Sequence, residues 1–253
     1  MTGWKWVRRA AICGAALALL YSGAWYAIAD RLEKIVADWT TERRAQGWTA
    51  SYRSMRLEGF PFAWRAYISE PKLATPGDVP GFRWAGPAIT LDWQPWRPRR
   101  IGFSAGGGHR FDLIDISVAG VSTGTVRQAD GEMLYGADGA LARLTLALDD
   151  TMLGETDSNR IAIDRLTASL DTAPPPRKEA TAGKTASLRL TGTLNGLTLP
   201  KNTVAPLGRT IGRIELDATM MGRIRPAMPG GAVRDMLAAW RDDGGIIEID
   251  RFD

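Results

Sequence analysis

The sequence is poor in the residues that do chemistry. It holds one histidine, His109, and one cysteine, Cys13, in 253 residues. A Ser/His/Asp triad could be assembled only around His109, and no G-x-S-x-G elbow occurs. Neither an H-E-x-x-H pattern nor paired cysteines are present to hold a metal. Gly106-Gly107-Gly108-His109 lacks the G-x-x-x-x-G-K-[ST] spacing that cradles phosphate. It reads as a flexible loop between strands, with His109 exposed. Asp149-Asp150 and Asp242-Asp243 read as solvated turn residues rather than acid/base pairs. The expectation is a protein that is not an enzyme and that has no cofactor and no metal site. The net charge of +4 is spread along the chain and comes mostly from Arg. A nucleic-acid binder concentrates such charge in one stripe, so no nucleic-acid partner is expected.

Charge is missing in one more place. From Ala10 to Ala29 no side chain is charged, while Lys5, Arg8 and Arg9 precede the run and Asp30, Arg31, Glu33 and Lys34 follow it. Twenty helical residues span about 30 Å, the thickness of a bilayer's hydrocarbon core. Two readings compete. Ala27-Ile28-Ala29 would serve as the cleavage site of a secretory signal. The length of the run, with Trp4, Trp6, Trp25 and Tyr26 at its ends, favours a retained single-pass anchor. In both, positive charge stays inside, which leaves the N-terminus cytoplasmic and exports residues 30–253. Cys13 lies in the apolar run, so the exported part has no disulfide.

Beyond the run, Leu32, Ile35, Val36 and Trp39 keep a helical period, and Gly47 is a stop. This second piece is a stalk of roughly 25 Å or the first core helix. From Trp48 the period changes to two. Ala50, Tyr52 and Ser54 alternate with Ser51, Arg53 and Met55. Leu144, Leu146 and Leu148 oppose Arg143, Thr145 and Asp149. Leu188, Leu190 and Leu194 oppose Arg189, Thr191 and Thr193, and Ile214, Leu216, Ala218 and Met220 oppose Arg213, Glu215, Asp217 and Thr219. These are strands with one wet face. A phase change from Ile161 and Ile163 to Leu166, Ala168 and Leu170 predicts a bulge near Asp164-Arg165. Pro76-Gly77-Asp78, Ala137-Asp138-Gly139 and Asn195-Gly196 read as turns, and Thr172 to Thr185 as a polar surface loop. A last helix is expected from Ala232 to Arg241, with a stripe of Val233, Met236, Leu237 and Trp240. Gly244-Gly245 ends it, and the chain stops in a strand at Asp253, which predicts a longer natural protein.

Two boxes stand out. Gly59-Phe60-Pro61-Phe62 reads as a hairpin corner whose two aromatics plug the core. Trp93-Gln94-Pro95-Trp96-Arg97-Pro98-Arg99-Arg100 combines tryptophan with arginine. Trp93, Trp96, Arg97, Arg99 and Arg100 are therefore candidates for facing a membrane surface or a protein partner. The alternative is an extended connection with its Trp residues packed on the sheet.

The basic start, the single span, the R-L-E-G-F-P-F-A-W run at 56–64, W-x-P-W-x-P at 93–98 and L-A-A-W-R-D-D-G-G-I-I-E-I-D at 237–250 together resemble the bacterial family called domain of unknown function 2125. In plan that family is similar to AsmA-like envelope proteins. The resemblance implies a mainly β (α+β) fold: an N-terminal transmembrane helix and stalk helix, then a long curved antiparallel sheet with one further short helix. Residues 1–29 are then the cytoplasmic tip and transmembrane anchor, 30–47 the stalk or first core helix, and 48–253 the exported β-rich domain, cut short at its C-terminus. It implies a protein of the bacterial inner membrane with its domain in the periplasm. By analogy it also implies the handling of membrane lipid or other apolar cargo in the cell envelope. The rival expectation is a non-enzymatic scaffold that recruits an envelope protein partner.

Overall fold

A computed structural model describes residues 3–76, 81–114, 123–154, 156, 158–172, 186–203, 206, 208–222 and 233–253. One helix, α1, runs unbroken from Gly3 to Ala45. Span and stalk are thus a single rod, because nothing between Ala29 and Asp30 breaks a helix: no Pro occurs there and Ala, Leu and Glu favour it. A stretch of this helix is long and apolar enough to cross a membrane and is almost wholly unburied. The predicted stop holds, since Gly47 takes a positive φ and the Trp48 N–H bonds back to the Arg43 carbonyl at 3.0 Å. The inner stripe is rotated from the one expected. Trp25, Ala29 and Thr40 are buried and Leu32 and Val36 half-buried, whereas Ile35 and Trp39 face solvent.

Among the described residues thirteen strands follow, in one antiparallel sheet. They are β1 (Thr49–Ser51), β2 (Ser54–Glu58), β3 (Trp64–Ser69), β4 (Lys72–Ala74), β5 (Gly81–Ala85), β6 (Ala88–Trp93) and β7 (Arg100–Ile114). Then come β8 (Thr123–Tyr135), β9 (Leu141–Leu153), β10 (Ile161–Asp171), β11 (Ala186–Thr198), β12 (Thr210–Met221), the short helix α2 (Val233–Asp242) and β13 (Ile246–Phe252). From β7 to β13 spatial order is chain order. At its other side β7 forks: its first residues pair with β6, which leads to β3 and β2, and its last pair with β5, which leads to β4 and β1. The alternation expected over 50–55 as one strand is broken at Tyr52-Arg53, because β1 and β2 belong to different arms of this fork.

The long strands carry the two faces that the alternation predicts. The pairing Trp64–Trp93–Ile101–Met133–Leu144–Leu170–Leu190–Ala218–Ile249 runs across nine strands as one apolar row. Beside it runs Leu91–Phe103–Gly131–Leu146–Ala168–Gly192–Leu216–Phe252. The opposite register carries ion pairs: Arg65 with Asp92 at 3.1 Å, Arg100 with Glu132 at 3.1 Å, Arg143 with Asp171 at 2.5 Å and Arg189 with Asp217 at 2.5 Å. An open depression of about 580 Å³ lies on that polar register, lined by Asp130, Thr145, Thr167, Thr193, Asp217 and Arg251 among others.

A crease crosses the sheet. Gly107 and Gly108 in β7, Asp150 in β9 and Gly196 in β11 all take positive φ at one level, beside Asp164 of β10. The expected bulge at Asp164-Arg165 is therefore not a register shift. Pairing of β10 with both neighbours is continuous apart from the skipped Asp164, since the adjoining strands kink with it. This also corrects two turn readings. Asn195-Gly196 and Asp149-Asp150 lie inside strands, where Asp149 bonds Arg165 at 3.0 Å and Asp150 pairs with Arg127. Ala137-Asp138-Gly139 is a hairpin turn as expected, with the Ala140 N–H on the Asp138 carboxylate at 3.1 Å. Helix α2 ends at Gly244 and Gly245 as expected, and of its stripe Trp240 is buried while Leu237 is 41% exposed. Gly77, Asp78, residues 173–185, Ala232 and the side chains of Val233 and Met236 lie outside the described residues.

Candidate functional site

The two aromatic boxes meet on α1. The corner between β2 and β3 turns at Gly59, whose φ of +99° suits glycine and whose added Cβ would lie 2.8 Å from the Ala63 carbonyl oxygen. The Gly59 carbonyl accepts the N–H groups of Phe62 and Ala63, both at 2.9 Å, and the Phe60-Pro61 peptide is cis. The expectation that Phe60 and Phe62 plug the core is overturned. They are 46% and 68% exposed. The reason is that the core position at this corner is already filled from the helix, by Trp25.

Trp25 is 4% exposed and stacks on Trp64 at 6.2 Å between ring centres, and Trp64 stacks on Trp93 at 4.8 Å. Three tryptophans from α1, β3 and β6 thus form one column. Each indole N–H is used. Trp25 donates to the Ala63 carbonyl at 3.1 Å, Trp64 to the Trp25 carbonyl at 3.2 Å and Trp93 to the Pro98 carbonyl at 3.1 Å. Outside the column lies a second set of rings. Phe60 stacks on Tyr26 at 5.9 Å, Phe62 meets Trp96 edge-on at 6.5 Å, and the Tyr21 hydroxyl donates to the Pro61 carbonyl.

The candidates of the second box therefore divide. Trp93 is half-buried in the column, and Arg100 is engaged with Glu132. Trp96, Arg97 and Arg99 are exposed on two successive turns at 94–97 and 97–100. Sequence reading missed Tyr21, Trp25 and Trp64 as partners of these boxes. The signal available was the aromatic content on both sides of Asp30, but nothing local says which rings meet.

The other departure is His109. It sits within β7 after the Gly107 and Gly108 bulge, not in a loop, and is 3% exposed. Two glycines at φ of +90° and +86° let the strand bulge and continue. The ring stacks on Trp84 at 5.6 Å, and neither ring nitrogen has a partner of hydrogen-bond geometry. Burial pushes its pKa below the usual imidazole range, while the nearby Ala88 and Gly106 backbones oppose this in part. Among the described residues, no group of three His, Cys, Asp or Glu side chains could hold a metal ion. The two boxes together present apolar surface, ring edges and the exposed guanidinium groups of Arg97 and Arg99.

The sequence model of a family described as an uncharacterized protein conserved in bacteria, DUF2125, matches residues 25–253. No curated protein and no solved structure matches. None of these comparisons shows the likeness to AsmA-like proteins.

Proposed function

The chain belongs to the DUF2125 family of uncharacterized proteins conserved in bacteria, and on that footing we propose that it is a single-pass inner-membrane protein whose periplasmic sheet holds lipid acyl chains on its apolar face. Catalysis has no part in this reading. The observation that carries it is the apolar row that begins at Trp64, under α1, and crosses to Ile249. Eight interstrand steps of about 4.8 Å make this track roughly 38 Å long. Its cover thins along the way: Trp64 is 5% exposed, Leu190 37% and Ile249 63%. Beyond Trp240 of α2 over the end of β12, no described helix or second sheet lies on β8–β13, and each strand meets its ladder neighbours. An apolar face of this extent that begins beside a membrane helix fits cargo with long hydrocarbon tails.

Retention of the anchor is part of the proposal. Cleavage after Ala29 would remove Trp25 and Ala29 from the core cluster they form with Trp64. The family match also starts at residue 25, before that cleavage point.

Photo-crosslinking in cells tests the reading. A benzophenone side chain at Leu190 faces the track, and one at Thr191 faces the polar side. Lipid adducts at 190 and not at 191 are expected, and Gly192→Phe should reduce them. Gly192 has room, since an added Cβ would meet only the Thr167 carbonyl oxygen, at 3.5 Å. One dominant protein adduct at 190, in place of lipid, would replace this reading with a scaffold that recruits a partner.

A further inference from the structure

We infer that the corner at residues 59–64, together with Trp96, is a wedge set into the periplasmic half of the bilayer beside α1, with Arg97 and Arg99 at the level of lipid phosphates. This rests on the proposed anchoring of α1 and adds a second, non-helical membrane contact.

Depth comes first. The uncharged run of α1 ends at Ala29, and Asp30 is the first charge beyond it. Trp64, at the base of the corner, packs beside Ala29 at that end, but the tip of the corner packs farther back along the helix. The Pro61 carbonyl takes the Tyr21 hydroxyl, and the Phe60 ring stacks on Tyr26. From Tyr21 to Asp30 is about 13 Å of helix. If residues 10–29 occupy the hydrocarbon layer, the tip of the corner lies well below the surface of that layer.

Composition fits that depth. Residues 59–64 read Gly-Phe-Pro-Phe-Ala-Trp, with no charge between Glu58 and Arg65. Phe62 and Trp96 touch each other and are 68% and 58% exposed, so this pair presents apolar surface outward at the foot of the sheet. A soluble surface has no use for such a pair, whereas a membrane interface favours it.

The backbone fits too. Irregular chain at membrane depth is tolerated only when its polar groups are satisfied internally. Here the Gly59 carbonyl takes two N–H groups of its own turn, the Pro61 carbonyl takes Tyr21 and the Ala63 carbonyl takes the Trp25 indole. Two of those donors come from α1 itself, which makes helix and corner a joint unit for insertion. The arginines complete the match. Arg97 and Arg99 follow Trp96 directly and are exposed, which suits the phosphates of an anionic leaflet.

The test uses the full chain with Cys13→Ser, in vesicles of phosphatidylglycerol and phosphatidylcholine. Single cysteines replace Phe62, Trp96, Leu20 or Thr191 in turn and carry a bimane label. Lipids bearing a nitroxide part-way down the acyl chain serve as quencher. Labels at 62 and 96 should be quenched several-fold more than at 191, and comparably to 20. Quenching at 20 without quenching at 62 and 96 overturns the wedge and leaves the anchor standing. Absence of quenching at 20 overturns both. Because Phe62→Cys could disturb the corner, the unmodified chain is also crosslinked with photoactivatable lipid. Adducts on peptides covering 59–64 and 93–99 are expected, and adducts confined to α1 overturn the inference.

Discussion

Replacing Trp25 with alanine tests whether the helix proposed to cross the membrane is also part of the core. The ring is 4% exposed, stacks on Trp64 at 6.2 Å and meets Phe60 edge-on at 5.4 Å. Removing a buried Trp in this way costs about 3–5 kcal/mol. The aromatic contacts lie within that figure, and the orphaned Ala63 carbonyl, which accepts the indole N–H at 3.1 Å, moves it toward the upper end. In a domain of this size each kcal/mol lowers the melting temperature by about 2–4 °C, so a drop of roughly 10 °C is expected. Trp25→Phe keeps a ring and loses the hydrogen bond, at about 1 kcal/mol or roughly 3 °C. The assay is thermal unfolding of the full chain in lipid nanodiscs, followed by the β-sheet circular dichroism signal. If Trp25 served only as an interfacial anchor, alanine would weaken membrane insertion and leave this transition in place. A shift below about 2 °C would refute the reasoning and remove the structural argument for a retained anchor.

Two further expectations concern the sheet. His109 is buried with its pKa below the ordinary value, so the unfolded chain binds a proton that the folded chain does not. Stability is then fully present above the unfolded pKa near 6.5 and falls as pH drops from there toward the folded value, by at most about 1.4 kcal/mol per pH unit. Denaturant melts between about pH 7 and pH 5 should show this slope, and His109→Phe should flatten it; an unchanged slope in the variant would place the titrating group elsewhere. Gly131→Ala should cost about 1–3 kcal/mol by overpacking. Its Cβ would lie 2.3 Å from the Phe103 ring and 2.4 Å from the Thr145 carbonyl oxygen, so a neutral effect in equilibrium unfolding would contradict the packing of Phe103 over that glycine.

The long strands were legible because alternation records burial at every second residue. Leu144, Leu146 and Leu148 share the apolar face, and Arg143 and Thr145 the other, as their spacing said. The corner at Gly59 and the end of α2 were legible for a different reason: glycine and proline act on their own backbone. Partners across the chain were not. Trp25 and Trp64 are separated by 39 residues, and no local pattern couples them. His109 was misplaced because three glycines normally mark a loop, whereas here two of them carry a bulge that keeps the ladder going. The crease was half visible. One strand showed a phase change, but only the ladder shows that its neighbours kink at the same level and so keep register.

The coincidence of chain order and strand order from β7 to β13 has a bearing on assembly. A chain threaded outward from its N-terminus delivers these strands in the sequence in which they pair. Each new hairpin finds its docking edge already built and becomes the edge for the next. Within this run of strands, unpaired backbone, the feature that makes extended sheets aggregate, is then confined at any moment to one advancing front. The column of Trp25, Trp64 and Trp93 lies at the opposite end of that front, and the first turn of this growth is therefore tethered to the helix the chain emerges from.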